Sequence, residues 1–327
     1  MDDSPISPVQ LGHFFQVDGK QLQQQYKNHL SDFHQWDQKD HAAHWMLFEQ
    51  NISPYLSIDE TAFSSGELYT IMTNKLAKGR KGSIVAMIKG TQADYLVDIL
   101  KKIPKRLRKT VQEVTIDMSG SLNLAVKRCF PNAHRVTDRF HVQQLAFDAV
   151  QETRIQYRWE ALEQENQAHE QARKQQQTYY PEVLPNGDTL KQLLARSRYL
   201  LFKHHRLWTR EQQQRGELLF GRYPVIQKAY QLSLRLGDVY RTCTSKEQAF
   251  KKLALWYNDV EAAGLASFKT LARTIQTHYL GILNFFNNRA TNAAAESFNS
   301  KVKAFRNMMR GVRDVEFFLF RLSKLYA

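Results

Sequence analysis

Two cysteines in 327 residues, Cys129 and Cys243, are too few for a disulfide framework or a four-thiolate zinc site, which excludes a small secreted stapled fold. No apolar run approaches the roughly 18 residues needed to span a bilayer. The opening Met1 to Pro5 is acidic and polar and lacks the basic and apolar regions of a secretory signal. Internal repeats and a flexible interdomain linker are also missing. These absences lead us to expect a soluble cytoplasmic protein without a membrane partner. Acidic charge is scarce in most of the chain: 32 Asp and Glu face 46 Lys and Arg, for a net charge of +14. The imbalance is uneven. Residues 1–50 hold seven acids against Lys20, Lys27 and Lys39, a local balance of −4, so the remainder carries +18. A basic body of this size favours a polyanionic partner, because phosphate neutralisation releases condensed counterions.

What is present reads as an ordered protein, with 43% apolar, 24% charged and 12% aromatic residues. Leu22, Tyr26, Leu30 and Phe33 follow a helical period, so 21–50 is expected to be a helical segment closed by Trp45, Leu47 and Phe48. After the breaker around Pro54, three short apolar strands are expected: Tyr55 to Ile58, Glu67 to Thr73 and Ser83 to Ile88. A turn carrying Gly79 and Gly82 joins the last two. An amphipathic helix ended by Pro104, a strand Val111 to Ile116, a helix Leu122 to Phe130 and a strand His134 to Val136 follow. Three antiparallel strands followed by strand–helix alternation predict an α/β fold with a mixed five-stranded sheet and flanking helices. No strand is expected from about Phe140 to Tyr279. Gln151 to Gln177 suggests a long exposed or self-associating helix, and three or four amphipathic helices follow it. A final helix is expected from Thr291 to Met309. The predicted organisation is an acidic helical segment (1–50), a first part of the core (51–140), an all-helical insertion (141–286) and a C-terminal helical part of the core (287–327).

Three carboxylates stand at informative positions: Asp59 and Asp117 at strand ends, 58 residues apart, and Glu296 on the last helix. Ends of neighbouring strands converge, and a helix crossing the sheet can bring a distant acid to them. Three converging acids suit two divalent cations, since hard Mg²⁺ takes few protein oxygens and keeps positions for phosphate and water. Each acid alone has an ordinary explanation as a turn residue, cap or helix-surface charge. The five histidines of the first 50 residues, at helical spacing and without nearby cysteines, do not read as a metal site.

The blocks LSIDE (56–60), TIDMS (115–119), VTDRFHV (136–142) and TNAAAESFNSKVK (291–303) resemble those of ISL-type bacterial insertion-sequence transposases. These are DDE transposases with a ribonuclease H-like fold, and the resemblance covers roughly 50–325. It implies that Asp59, Asp117 and Glu296 are the catalytic, metal-binding acids, using Mg²⁺ or Mn²⁺ with two ions per site. The helical block would be the insertion such families place before the Glu. Asp138 and His141 match an acid-x-x-His signature of several DDE families. Their chemistry favours an orienting or structural role, direct DNA or metal contact being the alternative. The implied activity is DNA cleavage and strand transfer for a bacterial insertion sequence. A nuclease without strand transfer and a non-catalytic DNA-binding remnant are the competing readings.

The family usually begins with a cysteine-rich zinc segment and a helix-turn-helix that read element ends. Neither is visible here, so the chain is expected to be the catalytic half of a split pair, served by a separate DNA-binding protein from an upstream frame. Double-stranded DNA, both element ends and target, is the expected substrate, with a homo-oligomer forming on it near the nucleoid. Among the basic clusters, Lys303, Arg306 and Arg310 share a face of the last helix by their three- and four-residue spacing and are the first choice for DNA contact. Lys101, Lys102, Lys105 and Arg106 form a second group. Lys75, Lys78, Arg80 and Lys81 in the hairpin, and the residues around Trp208, are further basic groups, the last with a base-stacking side chain.

Overall fold

The computed structural model describes residues 2–62, 67–309, 312 and 314–327. Among these, two compact units are distinguished: residues 1–138 with 288–327, and residues 139–287. No described helix is long and apolar enough to cross a membrane.

The first unit opens with α1 (Pro8–Phe15) and α2 (Gly19–Gln25), followed by a π-helical turn at Tyr26–Leu30 and a 3₁₀ turn at Phe33–Gln35. The expected helix over 21–50 is therefore mostly absent. Only Tyr26 and Phe33 of its apolar series are buried, while Leu30 is exposed. Trp45–Leu47 forms a strand, β1, in place of a helix end. Then come β2 (Tyr55–Ala62), β3 (Leu68–Asn74), β4 (Ile84–Lys89), α3 (Ala93–Leu100), α4 (Lys105–Arg108), β5 (Glu113–Ile116), α5 (Gly120–Cys129) and β6 (His134–Thr137).

The strands make one mixed sheet in the order β1-β4-β3-β2-β5-β6, with six strands where the sequence suggests five. The additional strand is β1, whose three residues are too few to register against a helical background. It pairs antiparallel with β4, Met46 opposite Met87. The β4-β3 and β3-β2 pairs are antiparallel, and β2-β5 and β5-β6 are parallel. Side chains alternate across the sheet. Leu56, Ile58, Val114 and Ile116 face one way, into a core shared with Leu96, Leu100, Leu122 and Val126 of α3 and α5.

The opposite face is covered by residues from the far end of the chain. In the second unit, helices α6 (Arg139–Lys174), α7 (Leu190–Arg196), α8 (Arg210–Arg222), α9 (Pro224–Thr242), α10 (Lys246–Ala263), α11 (Ala266–Thr277) and α12 (Tyr279–Asn288) follow one another. The chain then returns to the first unit as α13 (Ala293–Met308) and α14 (Val315–Tyr326). Phe298, Val302 and Phe305 of α13, with Phe318, Leu319 and Leu322 of α14, pack against Tyr69, Ile71, Ile84 and Met87. Helix α14 lies beyond the last helix that periodicity predicts. Its segment FFLFRLSKLY is apolar on nearly every side, which signals a buried element and not an amphipathic one.

Two expectations for the helical block change. Helix α6 is long, as expected, yet its first half is no exposed stalk. Gln151, Thr153 and Arg154 are buried, and the Arg154 guanidinium donates to Gln151 Oε1 at 2.7 Å and to the Leu194 carbonyl at 2.8 Å. Trp208 is a packing residue and not a stacking platform. Its indole N–H donates to the Leu200 carbonyl at 2.8 Å, and its ring lies against Tyr230 and Gly216, where even a Cβ would clash. Helices α11 and α12, beyond the amphipathic helices that the sequence predicts, complete this unit.

Candidate active site

The β2-β5 register pairs Ser57 with Thr115, and carrying it two residues further brings Asp59 level with Asp117. The β5-β6 register pairs Ile116 with Thr137, so Asp117 is in turn level with Asp138. Three aspartates thus stand in a row across three parallel strands, neighbouring strands being about 4.8 Å apart. Asp117 and Asp138 lie just past the C-terminal ends of β5 and β6. Asp59 lies inside β2, which pairs with β3 as far as Ala62 instead of ending at Ile58 as the sequence suggests. Alternation puts all three on the face opposite Ile58 and Ile116, which is the face that α13 covers.

Each aspartate also has a local job. Asp59 Oδ1 accepts from the Glu60 amide at 2.9 Å, and its Oδ2 accepts from Asn299 Nδ2 of α13 at 2.6 Å. Asp117 Oδ1 accepts from the Ser119 amide at 2.8 Å, which shapes the turn into α5, whose N-cap is Ser119. Asp138 is only 2% exposed and accepts from the Asn292 amide at 3.3 Å.

Glu296 lies in the first turn of α13, exposed, one turn before the Asn299 that touches Asp59. Spacing of three on a helix puts both side chains on one face. Asn299 escapes sequence reasoning because a neutral amide carries no chemical signature. Its offset of three from Glu296 is the available clue.

Burial first, and then the carboxylates of Asp117 and Asp59, push the Glu60 carboxyl above the usual carboxylate range. Asp59, Glu60 and Asp117 therefore make this part of the sheet strongly negative. Further down β5 on the same face, Glu113 is neutralised. Lys75 Nζ donates to Glu113 Oε1 at 3.0 Å and to Thr115 Oγ1 at 2.8 Å, and Asn288 Nδ2 donates to Glu113 Oε2 at 3.3 Å. Lys75 is thus a structural counter-ion, unlike the exposed Lys78, Arg80 and Lys81 of its cluster.

A divalent cation fits this donor set. Mg²⁺ is commonly held by one or two carboxylates with water completing its shell, and Asp59 and Asp117 supply two at level positions of neighbouring strands. Among the described residues, no group of three His, Cys, Asp or Glu is gathered closely enough to hold a metal by itself. The geometry accordingly brings Asp59 and Asp117 together and sets Glu296 on the overlying helix.

The remaining predicted residues divide. Lys303 is exposed and Arg306 half-buried on α13, and Arg310 lies outside the described residues. Lys101, Lys102, Lys105 and Arg106 are exposed around the end of α3 and in α4, beside the helices of the other sheet face, so they do not join the α13 group. Lys102 Nζ sits 5.2 Å from the centre of the Trp45 ring. His141 is in the first turn of α6, in the second unit, with its ring edge-on to Phe140.

The transposase for insertion sequence element IS1001 of Bordetella parapertussis is 22% identical over 277 residues, covering 83% of this chain and 61% of the relative. The chain therefore spans about three-fifths of that relative's length. A transposase family model, the DDE type of the ISL3 group, matches residues 56–322, a span from the start of β2 into α14. The mixed six-stranded sheet with flanking helices and a large helical region agrees with the ribonuclease H-like fold of such enzymes. The chain belongs to the ISL3-type family of insertion-sequence transposases.

Proposed function

We propose that this chain is the catalytic part of a DNA transposase that cleaves the ends of its element and joins them to target DNA, with Asp59, Asp117 and Glu296 as its divalent-cation ligands. The observation that carries the reading is the level pair Asp59 and Asp117 on the sheet face crossed by α13, the helix that bears Glu296. Mg²⁺ or Mn²⁺, two ions per site, would polarise the phosphodiester and stabilise charge on the attacking and leaving oxygens. The protein groups do the rest. Asp59 and Asp117 hold their carboxylates in place through backbone bonds formed before substrate arrives, so little reorganisation is left for the reaction. Lys303 and Arg306, further along the helix of Glu296, are placed to grip the phosphates flanking a scissile bond. In this reading Asp138 and His141 have orienting roles.

The test uses nicked, labelled element ends with Mg²⁺ and a target duplex. Joined products support the proposal, cut products alone reduce the protein to a nuclease, and neither product leaves a DNA-binding remnant.

DNA binding offers its own tests. Replacing Lys303 and Arg306 together by Ala should weaken binding and flatten the plot of log affinity against log salt by about two units, near 0.9 for each phosphate no longer neutralised. An unchanged slope would mean that this face is simply solvated. We also propose that sequence reading belongs to a separate DNA-binding protein, with oligomers assembling on bound ends. Exposed Lys and Arg position a duplex by its phosphates without specifying bases. The isolated chain should then prefer its element ends over random duplex by roughly tenfold or less, against 10³ or more for specific readers. Competition binding at physiological salt measures this, and strong selectivity would locate a base reader within the chain itself.

A further inference from the structure

We propose that Asp138 and Asn299 clamp helix α13 at two points and thereby position Glu296 and Asp59 for cation binding, an inference that rests on the metal-site reading above. Helix N-termini leave amides without intrahelical partners, usually satisfied by the side chain of the N-cap residue. The N-cap of α13, Asn292, makes no such side-chain bond. Its own amide instead donates to Asp138 Oδ1, on the neighbouring strand end. A carboxylate at this position also interacts favourably with the positive end of the helix dipole. The Asn292 carbonyl in turn accepts from the Glu296 amide at 2.9 Å, the first bond of the helix, so the backbone that bears Glu296 is fixed through one residue to Asp138.

The second clamp lies beyond Glu296. Asn299 is 7% exposed, and its amide bond to Asp59 ties the second turn of α13 to β2. A neutral donor suits that position. A lysine there would hold Asp59 equally well but cancel the charge that a cation needs, whereas an amide orients the carboxylate and leaves its charge intact. Glu296 sits between the two clamps, one turn from each. Both are positioning residues, acting through Glu296 and Asp59.

The test measures Mn²⁺ binding to the full chain without DNA, from the loss of the free-ion electron paramagnetic resonance signal, alongside thermal melting without metal. Asn299→Ala and Asp138→Ala should each weaken Mn²⁺ binding roughly tenfold or more, as loss of a ligand-orienting partner does. Asp138→Asn keeps an oxygen that accepts from the Asn292 amide and should stay within about twofold of the parent. Parent-like binding by Asn299→Ala overturns the proposal. So does Asp138→Asn binding as weakly as Asp138→Ala, because the charge and not the clamp would then matter. If Asp138→Ala melts far below the parent, Asp138→Asn against the parent and Asn299→Ala decide the question. Asp59→Asn and Glu296→Gln are controls on the underlying site: if both bind Mn²⁺ like the parent, the metal reading fails whatever the clamp variants do.

Discussion

Asp59→Asn, Asp117→Asn and Glu296→Gln should each lower the single-turnover rate of end cleavage on the order of 10³-fold while leaving DNA retention in a gel close to that of the parent. Each change removes a negative charge at the proposed cation site, and preorganised charge at a phosphodiester is commonly worth that much. The isosteric amides are chosen for a structural reason. Asp59 Oδ1 and Asp117 Oδ1 accept backbone amide bonds within β2 and in the turn into α5, and an Asn oxygen can still accept them. Truncation to Ala would mix lost catalysis with a loosened turn. Near-parent turnover from any one of the three removes that residue from the site.

Lys75→Met should destabilise the first unit by about 3 kcal/mol, read as a lower denaturation midpoint. The side chains of Lys75 and Glu113 are 15% and 5% exposed, so removal of the ammonium leaves a buried carboxylate with only the Asn288 amide as a charge-stabilising partner among the bonds described. The cost comes from the stranded charge more than from the lost attraction. A Lys75→Met, Glu113→Leu double variant should therefore recover most of the loss, since two apolar groups of similar volume replace the pair. Equal midpoints for Lys75→Met and the parent would show that water reaches Glu113 in solution.

The acids are legible in the sequence because each catalytic candidate of the sheet follows a short apolar run, although β2 continues past Asp59 to Ala62, where polar Glu60 and Thr61 hide its extent. What periodicity cannot supply is the register. The level placement of Asp59, Asp117 and Asp138 depends on which strands are neighbours, and pairings 58 residues apart between β2 and β5 and 21 apart between β5 and β6 decide that. The same reasoning explains β1. Trp45–Leu47 has too few residues to show alternation, and only β4 beside it makes it a strand. Helix α14 is invisible for the opposite reason: with Phe317, Phe318, Leu319, Phe320 and Leu322 all buried, no polar stripe marks its period. Lys75 shows a further limit. By composition it belongs with Lys78, Arg80 and Lys81, and only the fold reveals that it is spent on Glu113.

The route of the chain through the first unit bears on how the protein is made. The sheet is complete once Thr137 has been synthesised, but the side chains that cover one of its faces lie between Phe298 and Tyr326. The carbonyl of Tyr326 even accepts from the Ser83 amide. Between these two parts the ribosome must deliver the whole of residues 139–287, which form a compact unit of their own. During that interval Tyr69, Ile71 and Met87 have no helical cover, a state prone to aggregation or chaperone capture. Glu296 arrives on the same segment that closes the core. A polypeptide that stopped before α13 would lack both the cover and the third acid, whereas one that stopped between Glu296 and α14 would carry all three acids beneath an incomplete cover. For a protein proposed to cut DNA, vectorial synthesis would then bring the third proposed ligand late and just ahead of the cover: copies that stop before α13 lack both at once.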